Sequence, residues 1–398
     1  MKCRVCDGEN LDQVLDLGHQ PWCNNFLTKD QLNTEPRYPL RLMYCEDCHT
    51  SQLDYTVDKK IMFGDHTYLS GITKSLSQHF RQIAEDVDKR FGSAFQKKTV
   101  LDIGSNDGTQ LKHFQDLGWD VLGVESSTTT AAIANTHGVP TLNRFFNLEC
   151  IQIINRKFSV FNAAGVFFHL EELHSVTDAI KQGLEENGVF VVQFLYMKSI
   201  MENNAFDQIY HEHLLYYTLE TIQKLLKRHG LEMFDAFLSP IHGGQMIGYV
   251  GHPGAHEKTK RLIEIEKEES LSRCNAKSAY IKFAKRVEQI KQRDLAYLSR
   301  KRFEGKRIFG MGAPVKGNTL LNYFGIGPST IECLLEKNEL RRDLYSPGMH
   351  IPIRIEKEIE EWPDIFYVLA WNFKNEILNN NKDLIERGVE FYFPIDPR

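Results

Sequence analysis

Residues 99–125 read TVLDIGSNDGTQLKHFQDLGWDVLGVE, and this stretch decides the fold. Val100-Leu101-Asp102-Ile103 is a short apolar run stopped by Gly104, which is the pattern of a buried strand. A turn runs through Gly108, and the following LKHFQDLG reads as a helix. Trp119-Asp120-Val121-Leu122-Gly123-Val124 then forms a second apolar strand that ends at Glu125. Strand, turn, helix and strand make a βαβ unit and predict a parallel sheet. Residues 158–164 and 188–194 repeat the strand pattern on either side of a helix expected over 173–184, so the doubly wound α/β alternation continues.

The turn has a chemical character of its own. Gly104 and Gly108 let the backbone approach a ligand closely. Glu125 lies about twenty residues past the first glycine, where a carboxylate can accept hydrogen bonds from two ribose hydroxyls. A dinucleotide site calls for G-x-G-x-x-G with the pyrophosphate on a helix N-terminus. Here Asn106 takes the second glycine position, and Asp107 repels phosphate. S-adenosylmethionine has no phosphate and carries a sulfonium cation, so the acidic turn suits it better. The expected cofactor residues are Asp102, Gly104, Asn106, Asp107, Gly108 and Glu125; a βα turn without a ligand stays open beside that reading.

The chain has 398 residues, room for two to four domains, with 48 basic and 53 acidic side chains and a net charge of −5. That balance argues against general affinity for nucleic acid or anionic membrane. The opening MKCRVC lacks the apolar run of a signal peptide, and no stretch approaches the ~20 apolar residues of a membrane span. A cytoplasmic protein is the expectation, with its eight cysteines as thiols or metal ligands. Cys3-Arg4-Val5-Cys6 and Cys45-Glu46-Asp47-Cys48 are two C-x-x-C turns. Their four thiolates suit a closed, tetrahedral, structural Zn2+ held by Cys3, Cys6, Cys45 and Cys48. His49 is a substitute ligand or an adjacent surface histidine. Cys23, Cys150, Cys274 and Cys333 have no partner at short spacing.

Residues 206–213, FDQIYHEH, place Tyr210, His211, Glu212 and His213 together. Three readings are open: an H-x-H metal pair, two surface histidines, or an acid–base centre. Methylation at carbon needs the third, because a carbon becomes nucleophilic only when a proton beside a carbonyl is removed. Histidine suits that base, tyrosine suits the donor to the enolate oxygen, and Glu212 can orient or polarise a histidine. Further on, residues 254–305 are charged and helical, with Tyr280, Phe283, Ala284, Val287 and Ile290 on one face. A strand at Arg307-Ile308-Phe309 then runs into a second glycine loop, Gly310 to Asn318, which opens onto a helix. Its amides and Lys316 can hold a phosphate, Asn318 can add a hydrogen bond, and a plain structural turn is the alternative. Strands at 364–370 and 389–393 complete another α/β sheet, with Trp371 and Asn372 at a strand end.

Taken together these motifs resemble the zinc-containing, S-adenosylmethionine-dependent nucleotide-sugar C-methyltransferases, which make 3-C-methyl branched deoxysugars. The resemblance runs end to end, through YPLRLMYCEDCHTSQL, LDIGSNDGT, FDQIYHEH, the HGG at His242 to Gly244, GMGAPVKGNTLLNYFGI, YSPGMHIPI and WPDIFYVLAWNFKNEI. It implies an N-terminal zinc module over 1–70 and a Rossmann-like methyltransferase domain with the catalytic segment over 71–250. A helical connection over 251–305 and a Rossmann-like α/β domain for the nucleotide sugar over 306–398 follow. It implies His213 as base, assisted by Tyr210, Glu212, Tyr68 of the HTYLSG stretch and His169, and substrate contacts from Gly243, Gly244, Lys316 and Asn318. Some positions depart from the family: Asn162 to His169 replaces a shorter N-V-x-A-H, Gln193 stands where an acidic residue is common, and Ser126 where proline is. The implied reaction is methylation at C3 of a nucleoside-diphosphate 4-keto-6-deoxy sugar. The rivals are O-methylation of a related nucleotide sugar, a nicotinamide-dependent sugar dehydrogenase or epimerase using the Gly310 loop, and a non-catalytic sugar-nucleotide binder.

Overall fold

The structure is a computed structural model that describes residues 1–63, 69–72 and 74–396. Strands β1 (Leu11–Pro21), β2 (Arg37–Cys45) and β3 (Ser51–Leu53) form an antiparallel N-terminal sheet. The next five strands are β4 (Thr99–Ile103), β5 (Asp120–Glu125), β6 (Thr141–Asn143), β7 (Phe158–Ala164) and β8 (Leu184–Leu195). They pair in parallel, in the order β8-β7-β4-β5-β6. All five β4 residues are buried, as expected for a strand covered by helices on both faces.

The chain then returns to the first sheet. Strand β9 (Leu215–Tyr216) pairs antiparallel with β3, so the N-terminal sheet is completed by residues from beyond the central strands. Strands β10 (Glu232–Ser239) and β11 (Gln245–Gly251) extend the central sheet antiparallel at the β8 edge to seven strands.

The helix Lys277–Phe303 is 27 residues long and joins the first sheet to the last. Tyr280, Phe283, Val287 and Ile290 are buried on it and Ala284 is half-buried, so the stripe seen in the sequence faces protein. Near one end Tyr280 packs on Tyr44; near the other, Asp294 accepts hydrogen bonds from Tyr367 and Tyr392 at 2.7 Å each.

The last five strands, β12 (Ile308–Met311), β13 (Leu334–Glu336), β14 (Ile353–Ile355), β15 (Ile365–Val368) and β16 (Glu390–Tyr392), are all parallel. Their order is β14-β13-β12-β15-β16. The order reverses at β12, and the glycine loop after β12 meets the end of β15 there. A Cβ on Gly312 would lie 3.0 Å from that of Ala370. Such a crevice is where open parallel sheets take ligands. The α/β class read from the sequence is the one the chain adopts. Among the described residues no helix is long and apolar enough to cross a membrane.

Candidate active site

The turn after β4 is built on left-handed backbone: φ is +67° at Gly104, +52° at Asn106 and +79° at Gly108. The glycines are needed for protein contacts. A Cβ on Gly104 would sit 2.7 Å from Val166 Cγ2, and one on Gly108 would sit 3.0 Å from Val139. The expectation that they clear space for a ligand therefore gains a second reason, since the turn is pressed between the loops after β7 and before β6.

Glu125 closes β5. Its carboxylate accepts from the Asn106 and Ser127 backbone amides at 2.8 Å each. A carboxylate has about four acceptor positions, so this one is oriented with capacity left for ribose hydroxyls. Asp102 is buried and accepts from Asn162 Nδ2 at 2.6 Å. Burial pushes its carboxyl up to about 7, opposed by the Asn162 bond and helped by nearby Glu125. Ser105 Oγ and Gln110 Oε1 are buried without a hydrogen-bond partner among the described residues. An acidic turn with an oriented carboxylate and unsatisfied buried acceptors fits the cationic S-adenosylmethionine better than a phosphate-bearing nucleotide. Asn106 and Asp107 also accept from the Ser70 and Gly71 amides, at 2.9 and 2.8 Å, so the segment entering the central domain lies over the turn. Tyr68 lies outside the described residues.

Val166 leads from this turn to the histidines. The His169 amide donates to the Val166 carbonyl at 2.9 Å, and His169 Nδ1 donates to the Glu212 carbonyl at 2.5 Å. His213 lies across from His169 with ring centroids 5.1 Å apart, and the Tyr210 ring lies tilted against His213 with centroids 3.8 Å apart. His213 Nδ1 donates to the Gln208 carbonyl at 2.7 Å. A carbonyl only accepts, so the neutral imidazole carries its lone pair on Nε2. Burial pushes the Tyr210 phenol well above its ordinary range, so it stays a proton donor.

The structure separates the other members of the segment. His211 faces away, toward Pro39 and Tyr38 of the N-terminal module, so the pair His211 and His213 does not converge on a metal. Glu212 orients a histidine through its backbone carbonyl. Its side chain instead accepts from Trp22 Nε1 at 2.6 Å and from Asn24, because the turn that the His213 amide closes onto the Tyr210 carbonyl points it at the loop after β1. Burial pushes that carboxyl up to about 7, and these two bonds oppose the rise. Trp22 and Asn24 escaped the sequence reading. The available signal was an indole and two amides crowded into a loop directly after a strand, and it does not name their partner.

The C-terminal domain reaches the same segment. Trp371 is fully buried and donates from Nε1 to Asp207 Oδ2 at 2.7 Å. Lys316 Nζ lies 3.6 Å above the Trp371 ring. Burial lowers the Lys316 ammonium to about 8, opposed by the Asp207 charge. Gly243 has φ +89°, and a Cβ there would lie 2.7 Å from Trp371 Cη2; Gly244 lies against Ser199. Asn318 donates to the Cys23 carbonyl at 2.7 Å, so its amide ties the second glycine loop to the N-terminal module, a use the sequence did not suggest.

The four zinc-candidate sulfurs all lie within 4.8 Å of one another, with Cys3–Cys48 at 3.5 Å and Cys6–Cys45 at 3.6 Å. Tetrahedral Zn–S bonds of ~2.3 Å put sulfurs about 3.8 Å apart, so the set fits zinc. The two turns are built alike: the amides of Asp7 and His49 bond back to the Cys3 and Cys45 carbonyls, and both residues have positive φ. His49 is no ligand; its Nδ1 lies 3.0 Å from Glu220.

Three family models match this chain. Residues 3–63 match a zinc binding domain family, 75–236 a methyltransferase domain family and 240–396 the family described as C-methyltransferase C-terminal domain. The chain is thus an S-adenosylmethionine-dependent methyltransferase with a zinc-binding domain. It belongs to the C-methyltransferase family, being 30% identical over 404 aligned positions to the C-methyltransferase NovU of Streptomyces niveus, with 100% of this chain and 96% of that protein covered. Among solved structures, the mitomycin 7-O-methyltransferase MmcR aligns with a TM-score of 0.36 at 14% identity, over 46% of this chain and 55% of that one. The glycopeptide N-methyltransferase MtfA complexed with S-adenosylmethionine aligns with a TM-score of 0.35 at 14% identity, over 48% and 97%.

Proposed function

We propose that this C-methyltransferase acts at C3 of a nucleoside-diphosphate 4-keto-6-deoxy sugar, with His213 as the base. The observation that carries the reading is the fixing of His213. Its Nδ1 is bonded to the Gln208 carbonyl, its ring lies against Tyr210 and His169, and the loop that carries His169 touches the cofactor turn at Gly104 through Val166. S-adenosylmethionine supplies the electrophilic methyl carbon when bound against Asp102, Gly104, Asn106, Asp107, Gly108 and Glu125.

The C4 ketone acidifies the C3–H bond. His213 Nε2 takes that proton, and the Tyr210 phenol donates to the enolate oxygen as charge builds there. Tyr68 is proposed as a second donor. His169, held by the Glu212 carbonyl, lines the same space. The buried surroundings keep water from the carbanion and hold its face toward the methyl donor.

The sugar assignment is supported by the end-to-end motif resemblance. The chain divides in this reading at about 70, 250 and 305, with Gly243, Gly244, Lys316 and Asn318 lining the nucleotide-sugar side. None of the eight cysteines is disulfide-bonded, which suits a reducing, cytoplasmic setting.

The test is incubation with labelled S-adenosylmethionine and such a sugar in deuterated solvent. Wild type should wash deuterium into C3 and transfer the label to carbon. His213→Asn should lose both by at least ~100-fold while still binding the methyl donor. Undiminished turnover in that variant would refute the base, and label on oxygen would refute the carbon assignment.

A further inference from the structure

We infer that Trp22 is a positioning residue for Glu212, and that residues 21–27 form a strap locked onto the C-terminal domain so that it stays in place. The inference rests on the function proposed above, with His213 as the base and Glu212 next to it in the same turn.

The strap leaves β1 at Pro21 and is fixed at several points on a part of the chain about three hundred residues away. Leu27 and Tyr345 exchange backbone hydrogen bonds at 3.0 and 2.8 Å. Phe26 lies under the Arg341 guanidinium at 4.2 Å, and Arg341 also bonds the Ala313 carbonyl in the second glycine loop. The Cys23 carbonyl is held by Asn318. Within the strap the Asn25 amide turns back to the Trp22 carbonyl at 3.1 Å.

From this anchored turn the Trp22 indole N–H reaches Glu212 Oε1 at 2.6 Å, and the Asn24 side chain reaches the same carboxylate. An indole N–H can only donate, so it favours the ionised acid over the neutral one. The Asn24 amide does the same, and among the described residues no lysine or arginine pairs with Glu212. The titratable groups near it are the Cys23 thiol and the Tyr210 phenol, which burial and the Glu212 charge both keep protonated. Removing the indole donor therefore leaves the buried carboxyl with only the Asn24 bond against burial. An ionised Glu212 favours the positive charge that His213 acquires when it takes the C3 proton, so the strap acts on proton transfer rather than on sugar binding.

The experiment uses the full, zinc-loaded chain. Methyl transfer from labelled S-adenosylmethionine to a dTDP-4-keto-6-deoxyhexose is followed against pH for wild type, Trp22→Phe, Glu212→Gln and the double variant, with methyl-donor affinity measured by calorimetry. Trp22→Phe keeps an aromatic ring and loses only the N–H. The acid limb of its kcat/KM profile should move up by on the order of one pH unit. kcat should fall about tenfold near pH 6 and recover at higher pH, with KM and methyl-donor affinity unchanged. The double variant should match Glu212→Gln. An acid limb that stays put, or a loss equal at every pH, would overturn the inference. If Trp22→Phe fails to fold, Asn24→Ala must show the same upward limb. A fully active Glu212→Gln would remove the reading of Glu212 and the inference together. An impaired Glu212→Gln beside an unshifted Trp22→Phe would remove the inference alone.

Discussion

His211 turns into the N-terminal module, where Tyr38 lies edge-on at 5.7 Å and the Pro39 carbonyl accepts from its Nε2 at 3.3 Å. Its other nitrogen is buried without a partner, as an unprotonated ring requires. Burial lowers the imidazolium from 6.5 to about 4, with Asp54 and the nearby backbone carbonyls opposing weakly. The folded state therefore binds fewer protons than the unfolded state below pH 6.5. This stability is complete above that pH and drains away as pH falls toward 4. At about pH 5 the loss should be roughly 2 kcal/mol. Urea unfolding of wild type and His211→Gln at about pH 7.5 and pH 5 checks this: the variant should lose that much less stability between the two. Equal acid losses would remove His211 as the cause. The H-x-H spacing in the sequence could not distinguish His211 from His213. On a strand residues two apart face the same side; here the His213 amide closes a turn onto the Tyr210 carbonyl at 2.9 Å and parts the two rings, and that turn is placed by β3 and the strap, both distant in sequence.

The contact that joins the cofactor turn to the histidines is between two loops at the ends of neighbouring strands. β4 and β7 were legible because each is an apolar run bounded by turn residues, and the Gly104 turn was legible because a βα unit needs one. Val166 was not, because nothing in residues 162–169 says which side chain will meet Gly104. Gly104→Ala makes that contact measurable. The substitution puts a non-glycine residue at φ +67° and drives its Cβ to 2.7 Å from Val166 Cγ2. Together these should cost about 2–4 kcal/mol. Displacing Val166 should also move His169, whose amide is bonded to it, so methyl-donor affinity and turnover should both fall. Gly165→Ala is the control: φ is +74° but nothing lies within 4 Å of the new Cβ, so only the backbone cost of about 1 kcal/mol applies. Thermal unfolding with calorimetric titration of S-adenosylmethionine separates the two. Equal, small effects from both would show that the Val166 contact is slack.

Across the whole molecule the zinc turns and the turn that carries His213 are linked by the first sheet. The second C-x-x-C lies between β2 and β3, and Arg4 of the first donates from its backbone amide to Gln52 in β3 at 2.7 Å. β3 pairs with β9 through Ser51–Tyr216 and Gln52–Leu215, and Leu53 donates to the Leu214 carbonyl at 3.0 Å. Leu214 follows His213 directly and donates to the Phe168 carbonyl at 2.8 Å, beside His169. The cysteine pairs were readable because metal chemistry fixes their spacing. A two-residue strand that carries the His213 turn into a sheet formed some 160 residues earlier leaves no periodic trace. Zinc should consequently control the geometry of the base while leaving the methyl-donor site alone, since β4 and β5 belong to a different sheet. Stripping zinc with a chelator, or making Cys48→Ser, should loosen the β3–β9 pairing and lower turnover by ~10- to 100-fold, the scale at which misplaced catalytic groups lose rate. S-adenosylmethionine affinity should stay within about threefold of wild type, below the ~1 kcal/mol of a single lost hydrogen bond. A metal-release dye, calorimetry and the labelled-methyl assay on one sample distinguish the outcomes. Full turnover in the metal-free protein would cut the link between the two sites. Parallel loss of donor affinity would mean that removing zinc unfolds more than the first sheet.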